Sequence, residues 1–166
     1  MPGLITGAAE HNKGLGAQFL SLVADCRLLA YVVDVGTLWL SGEAHPNITD
    51  RATWLKDQII QQLAMLQHEL GTFDSKLTDR RRCLVVGSKM DLVVPYMNDS
   101  NGRHNLWSTV QKAINKATLD MGLLDATNLD RVLLISARRG DNIDALVRCI
   151  QQHVRDICKM SNDESS

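Results

Sequence analysis

Two short polar segments stand where side chains could grip a small ligand. Ser88-Lys89-Met90-Asp91 follows an apolar run, Cys83 to Gly87, and Ser136-Ala137, ahead of Arg138-Arg139-Gly140, follows another, Val132 to Ile135. A carboxylate such as Asp91 can accept two hydrogen bonds from a ring N–H and an exocyclic amine, a donor pair that guanine offers and adenine lacks. The aliphatic stem and charged head of Lys89 suit the face of a purine, through stacking and cation–π attraction. At Ala137 the backbone would do the work, with an N–H aimed at the guanine carbonyl oxygen beside a side chain small enough to let the base approach. Each segment also fits a plainer role. Lys-x-Asp after a strand is an ordinary solvated turn, and Ser136-Ala137 can open a strand-to-helix turn with Asp141 or Asn142 as N-cap. What joins them is position, because open α/β sheets place ligands at the carboxyl ends of their strands.

The elements that must carry these segments are readable from periodicity. Leu28 to Val35 is a continuous apolar run ended by Gly36, the pattern of a strand buried on both faces. Cys83 to Gly87 and Val132 to Ile135 predict two more strands. Leu55, Ile59, Leu63, Leu66 and Leu70 recur at three- and four-residue steps between Asp50 and Gly71, which predicts a helix. Leu106, Val110, Ile114, Ala117 and Met121 repeat that spacing before Gly122, and Ile143, Leu146, Val147, Ile150, Val154 and Ile157 repeat it again. Strands alternating with helices imply right-handed crossovers and a parallel sheet. Thr37 to Thr49 and Val93 to Arg103 read as loops.

Composition narrows the classes. With 45% hydrophobic residues and a formal net charge of −1, disorder and a basic nucleic-acid-coating surface are both disfavoured. No apolar run approaches the roughly 20 residues needed to span a bilayer. Cys26, Cys83, Cys149 and Cys158 lack Cys-x-x-Cys spacing, which argues against zinc and disulfides. The five histidines (His11, His45, His68, His104, His153) lack metal-ligand spacing and read as surface residues. Arg80-Arg81-Arg82, Arg138 and Arg139 read as solvated charges, and Trp39, Trp54 and Trp107 as packing residues.

The opening of the chain carries a more specific pattern. Pro2-Gly3-Leu4-Ile5, Gly7-Ala8, Gly14-Leu15-Gly16, Phe19-Leu20 and Val32-Val33-Asp34 occur in this order, followed by Glu69-Leu70, Phe73 and Leu77. Together with Lys89-x-Asp91 and Ser136-Ala137, these resemble the Obg-type P-loop GTPases over essentially the whole chain. The organellar and nucleolar eukaryotic relatives, which also end soon after the last helix, fit best. Drg-type cousins lack Gly-Leu-Gly-x-x-Phe-Leu, and the ATP-preferring Obg-like group lacks Lys-x-Asp.

The resemblance implies a three-layer P-loop NTPase (Ras-like) G domain. In it, residues 1–160 would form the part from the second switch to the last helix, and 161–166 a frayed tail. It implies GTP and GDP as ligands, with magnesium, and contacts from Gly3 to the γ-phosphate, from Ser88, Lys89 and Asp91 to the base, and from Ser136 and Ala137 to the base edge. Ser88 stands where the family has Asn, whose amide contacts the base and braces the phosphate loop. Thr6 stands where Glu is usual. No Gly-x-x-x-x-Gly-Lys-Ser/Thr occurs in the 166 residues.

The expectation is therefore an N-terminally truncated domain, a short parallel sheet flanked by helices, without the phosphate-binding half and the magnesium ligands. Such a chain would have the Leu28–Val35 strand as an unprotected edge and marginal stability. It would not hydrolyse GTP by itself. The implied partner is a large ribosomal subunit or its rRNA, not DNA, and the implied location is mitochondrion or nucleolus, otherwise cytoplasm. A non-catalytic interaction fragment, or a product with no independent activity, is the alternative.

Overall fold

The computed structural model describes residues 21–24, 26–43, 50–93 and 100–163. At its centre is Cys83–Gly87 (β2), all five residues of which are buried. It lies between Leu29–Val33 (β1) and Val132–Leu134 (β3) in a parallel sheet of order β1-β2-β3. Leu29 pairs with Cys83 and Val33 with Gly87, while Val85 pairs with Val132 and Gly87 with Leu134. Gly87 is needed at this junction, since a Cβ there would lie 2.5 Å from Leu134 Cδ2.

Alternation along the strands sorts the core into two layers. Tyr31, Val33, Cys83, Val85, Val132 and Leu134 face one way, against Leu55, Ile59 and Leu63 of Arg51–Phe73 (α2) and Val110, Ile114 and Ala117 of Ser100–Asp120 (α4). Leu84, Val86 and Ile135 face the other way, against Ile143, Leu146, Cys149 and Ile150 of Ile143–Asp163 (α5). Helices on both faces of a parallel sheet make this an α/β three-layer arrangement, the architecture expected of a P-loop G domain. The last helix runs past residue 160 to Asp163.

Local chemistry sets the helix ends. Asp50 caps α2 by accepting from the backbone N–H groups of Ala52 and Thr53. The helix continues two residues beyond Gly71 and stops at Asp74, whose side chain instead accepts from Lys76 N in the next turn. Gly122 ends α4 as its spacing predicts. Its φ is +61°, with Gly122 N bonded to Leu119 O and Leu123 N to Thr118 O, a Schellman closure.

Four expectations need correction. The first strand is not buried on both faces. Ala30 and Val32 are exposed, Val32 by 57%, because α5 packs over β2 and β3 and no described element covers this flank of β1. The strand also ends at Val33, and Val35–Glu43 forms a helix (α1) where the first half of a loop was expected. Asp34 starts that helix by accepting from Thr37 N, Trp39 is buried on it, and Gly42 lets the ring of Trp54 approach closely. Residues 100–103 open α4 rather than closing a loop, while 44–49 and 94–99 lie outside the described residues. Finally, His153 is buried at 5% exposure on the inner face of α5, not on the surface. Burial first, then the charge of Arg131, pushes its pKa below the ordinary imidazole value.

Candidate functional site

The carboxyl ends of β2 and β3 each run directly into one of the polar segments singled out in the sequence. After β2, Ser88 stays tied to the neighbouring strand, its N–H donating to Val33 O at 2.8 Å and its hydroxyl donating to the same oxygen at 3.1 Å. Lys89 then takes φ +62°, a left-handed conformation that turns the chain sharply. This turn brings Met90 inside, fully buried, with its N–H on Ile135 O at 3.1 Å. Met90–Val93 forms a single helical turn (α3) that carries Asp91.

After β3, Ser136 is fully buried and its N–H donates to Asp141 O, closing residues 136–141 into a tight loop. Gly140, at φ +79°, makes the reversal. Asn142 does not act as a conventional N-cap. It sits at φ +59° and donates its side-chain amide to Leu134 O at 2.9 Å, which holds the loop against β3.

The two loops meet through side chains 45 residues apart. The Ser136 hydroxyl donates to Asp91 Oδ1 at 2.8 Å and accepts from Arg139 N at 3.2 Å. The Arg139 guanidinium reaches to 3.5 Å from Asp91 O, while the residue as a whole stays exposed. One carboxylate oxygen of Asp91 is thereby oriented. Among the described residues, no side chain donates to the other, which leaves acceptor capacity for a ligand. Ala137 is exposed at the lip of the loop.

Lys89 reaches across to β1. Its ammonium forms an ion pair with Asp34 Oδ2, while the side chain remains 54% exposed. Asp34 Oδ1 accepts from Thr37 N at 3.0 Å, and its Oδ2 accepts from Thr37 Oγ1 at 2.9 Å. Burial works to raise the Asp34 carboxyl, but the hydrogen bonds from Lys89 and Thr37 outweigh it and hold its pKa below the ordinary value. This contact is not legible in either segment alone. An aspartate at a strand end followed three residues later by Thr was a visible N-cap signal, but its link to Lys89 needed the β1–β2 pairing.

Of the six residues expected at a site, Ser88, Lys89, Asp91, Ser136 and Ala137 therefore lie on adjacent loops at one end of the sheet. Gly3 lies outside the described residues, as do the glycines at 7, 14 and 16. Among the described residues, no group of three or more His, Cys, Asp or Glu is close enough to hold a metal ion.

A parallel sheet covered by helices on both faces, with Lys-x-Asp and Ser-Ala loops at its carboxyl ends, is an α/β arrangement of the P-loop G-domain kind. Comparison with known proteins agrees with that class. The chain is 28% identical to GTP-binding protein 10 of Bos taurus over 167 residues, covering 98% of this chain and 39% of that protein. It is 30% identical to GTPase Obg of Synechococcus sp. (strain WH7803) over 152 residues, 92% of this chain and 34% of the relative. GTP-binding protein 10 of Homo sapiens gives 28% over 166 residues, 98% and 39%. The chain is thus a relative of the Obg-type GTPases over nearly all its length, and it spans little more than a third of the length of these relatives. No protein-family model matches it, and no solved structure matches it with significance.

Proposed function

We propose that residues 88–91 and 136–140 form the guanine-recognition corner of a GTP- and GDP-binding protein. The Ser136–Asp91 hydrogen bond at 2.8 Å is the observation that carries this reading. It fixes one carboxylate oxygen and leaves the other to accept from a base that offers an N–H and an amine together. Guanine has that pair and adenine lacks it. Ala137 supplies a backbone donor at the rim, and Lys89 supplies a stem to lie along the purine face. The names of the relatives, GTPase Obg and GTP-binding protein 10, support the choice of nucleotide.

The phosphates fall to Gly3 on the resemblance, together with groups that no motif of this sequence supplies. This chain alone is expected not to hydrolyse GTP. A large ribosomal subunit or its rRNA is the partner that the Obg resemblance favours, with mitochondrion or nucleolus as the location. No described helix is long and apolar enough to cross a membrane.

A non-catalytic interaction role is the second reading, favoured by the exposed flank of β1 at Ala30 and Val32. Binding of GDP to the purified chain, expected under the first reading and not under the second, separates the two.

Calorimetric titration of GDP and of ADP tests the base corner. The native chain is expected to prefer GDP. Asp91→Asn should weaken GDP binding by about tenfold to a hundredfold and leave ADP unchanged, since a charge-assisted hydrogen bond is worth roughly 1.5–3 kcal/mol. Equal affinity of the native chain for the two nucleotides would end the reading.

A further inference from the structure

We infer that Asp34 is a positioning residue for the base corner, anchoring the head of Lys89 so that its methylene stem is presented to the purine. The inference rests on the guanine reading given above and adds to it a residue on a different strand.

Three observations lead there. Asp34 is itself immobilised. Its carboxylate caps α1 through Thr37 N and Thr37 Oγ1, and its side chain is only 33% exposed. An acceptor fixed in this way is a firm point of attachment, unlike a solvated surface carboxylate, whose pairing contributes little. Lys89, in contrast, is held among the described residues by an ion pair at its head, and its side chain is 54% exposed. A lysine stem left free samples many rotamers, and restricting it before the ligand arrives lowers the ordering cost of binding.

The third observation is that the two backbones are joined at the same point. Gly36 N donates to Ser88 O at 3.2 Å, and Ser88 N donates to Val33 O. A Cβ on Gly36 would fall 2.1 Å from Lys89 O. The end of β1 and the turn at Lys89 thus form one unit, so the main chain holds the two residues at a separation that the lysine side chain can span. The burial-opposing hydrogen bonds that keep Asp34 ionised ensure that the anchor is charged near neutral pH.

The test uses Asp34→Asn, which keeps an oxygen for the Thr37 N–H but removes the charge, and Lys89→Met, which keeps an apolar stem without a head to anchor. NMR of the Lys89 side chain in the unliganded chain reads the anchor directly. Its end should be ordered in the native chain and mobile in Asp34→Asn, with the melting temperature nearly unchanged. Guanosine titration then reads its purpose. Asp34→Asn should bind roughly fivefold more weakly, in keeping with the cost of ordering one long side chain on binding. The same substitution made in the Lys89→Met background should change nothing further.

A Lys89 side chain equally mobile in the native chain and in Asp34→Asn overturns the inference. So does an Asp34→Asn loss that persists undiminished without Lys89, because Asp34 would then act through the fold alone. If guanosine shifts no resonance at Asp91 or Ser136 in the native chain, the base corner itself fails and the anchor's role in binding falls with it. If both loops respond to guanosine but Asp34→Asn binds as well as native, only the anchor fails.

Discussion

The half of the sheet built on β2 and β3 and the flank of β1 are made from similar residues under different cover. On the first, Leu84, Val86 and Ile135 are sealed beneath α5. On the second, Ala30 and Val32 have the same orientation and pair with Leu84 and Val86, yet both are exposed. Hydrophobicity alone therefore did not decide burial. The placement of one amphipathic helix did, because a sheet residue is buried only where something packs on its face. Both candidate loops emerge from the sealed half, and the first is tied to the end of β1 by Ser88 and by the Lys89 head.

Thiol labelling should give the widest contrast. Burial pushes the Cys83 thiol up to about 12, whereas Cys26, ahead of β1, is exposed. Cys26 should therefore react with a disulfide reagent on the order of a thousandfold faster at neutral pH. Comparable rates, followed by mass spectrometry of the modified peptides, would break the distinction between the two regions.

Core truncation comes next. Leu84→Ala removes a fully buried side chain from the seat of α5 and should cost about 2–5 kcal/mol in denaturant unfolding. A loss below about 1 kcal/mol would mean that α5 is not seated as described.

Acid should loosen the same seat by a smaller amount. His153 has a folded pKa below its unfolded one, so its neutral form is favoured by the native state. Its contribution is fully present above the unfolded value of about 6.5 and is lost as pH falls from there through the folded pKa. The groups facing it are Arg131, Asp130 and the Arg81 backbone, with Asp156 on its own helix. Melting temperature measured against pH should fall over this window and fall less in His153→Gln. Parallel curves for the two proteins would remove His153 as the cause.

The smallest effect is expected on the open flank. Val32→Thr should change stability by no more than about 0.5 kcal/mol, as for most surface substitutions. It should also reduce self-association at high concentration, read by light scattering, because an exposed apolar edge invites pairing. A loss of 2 kcal/mol or more, the size of a core truncation, would show that this face is covered.

The strongly periodic parts of this fold were legible in the sequence. The helix caps at Asp50 and Gly122, the wholly apolar β2 and the spacing of Leu55 to Leu70 each reflect a local rule that the structure obeys. The meeting of Asp91 with Ser136 was legible as well, since two polar segments that follow parallel strands must lie at the same end of a sheet. What escaped was decided by cover or by pairing across distance. α1 has only nine residues and two glycines, so its periodic signal was weak. The exposure of Val32 depends on where α5 stops. The Asp34–Lys89 ion pair depends on strand register, which no single segment encodes.

Gly36 has a consequence beyond the space it frees. Because its missing side chain lets the first turn of α1 rest directly on the carbonyl of Lys89, neither part can be displaced without carrying the other along. Packed interiors resist compression and pass strain onward. A push on the outer strand would therefore arrive at the turn beside Asp91 as a rigid movement, through hard contact between main chains.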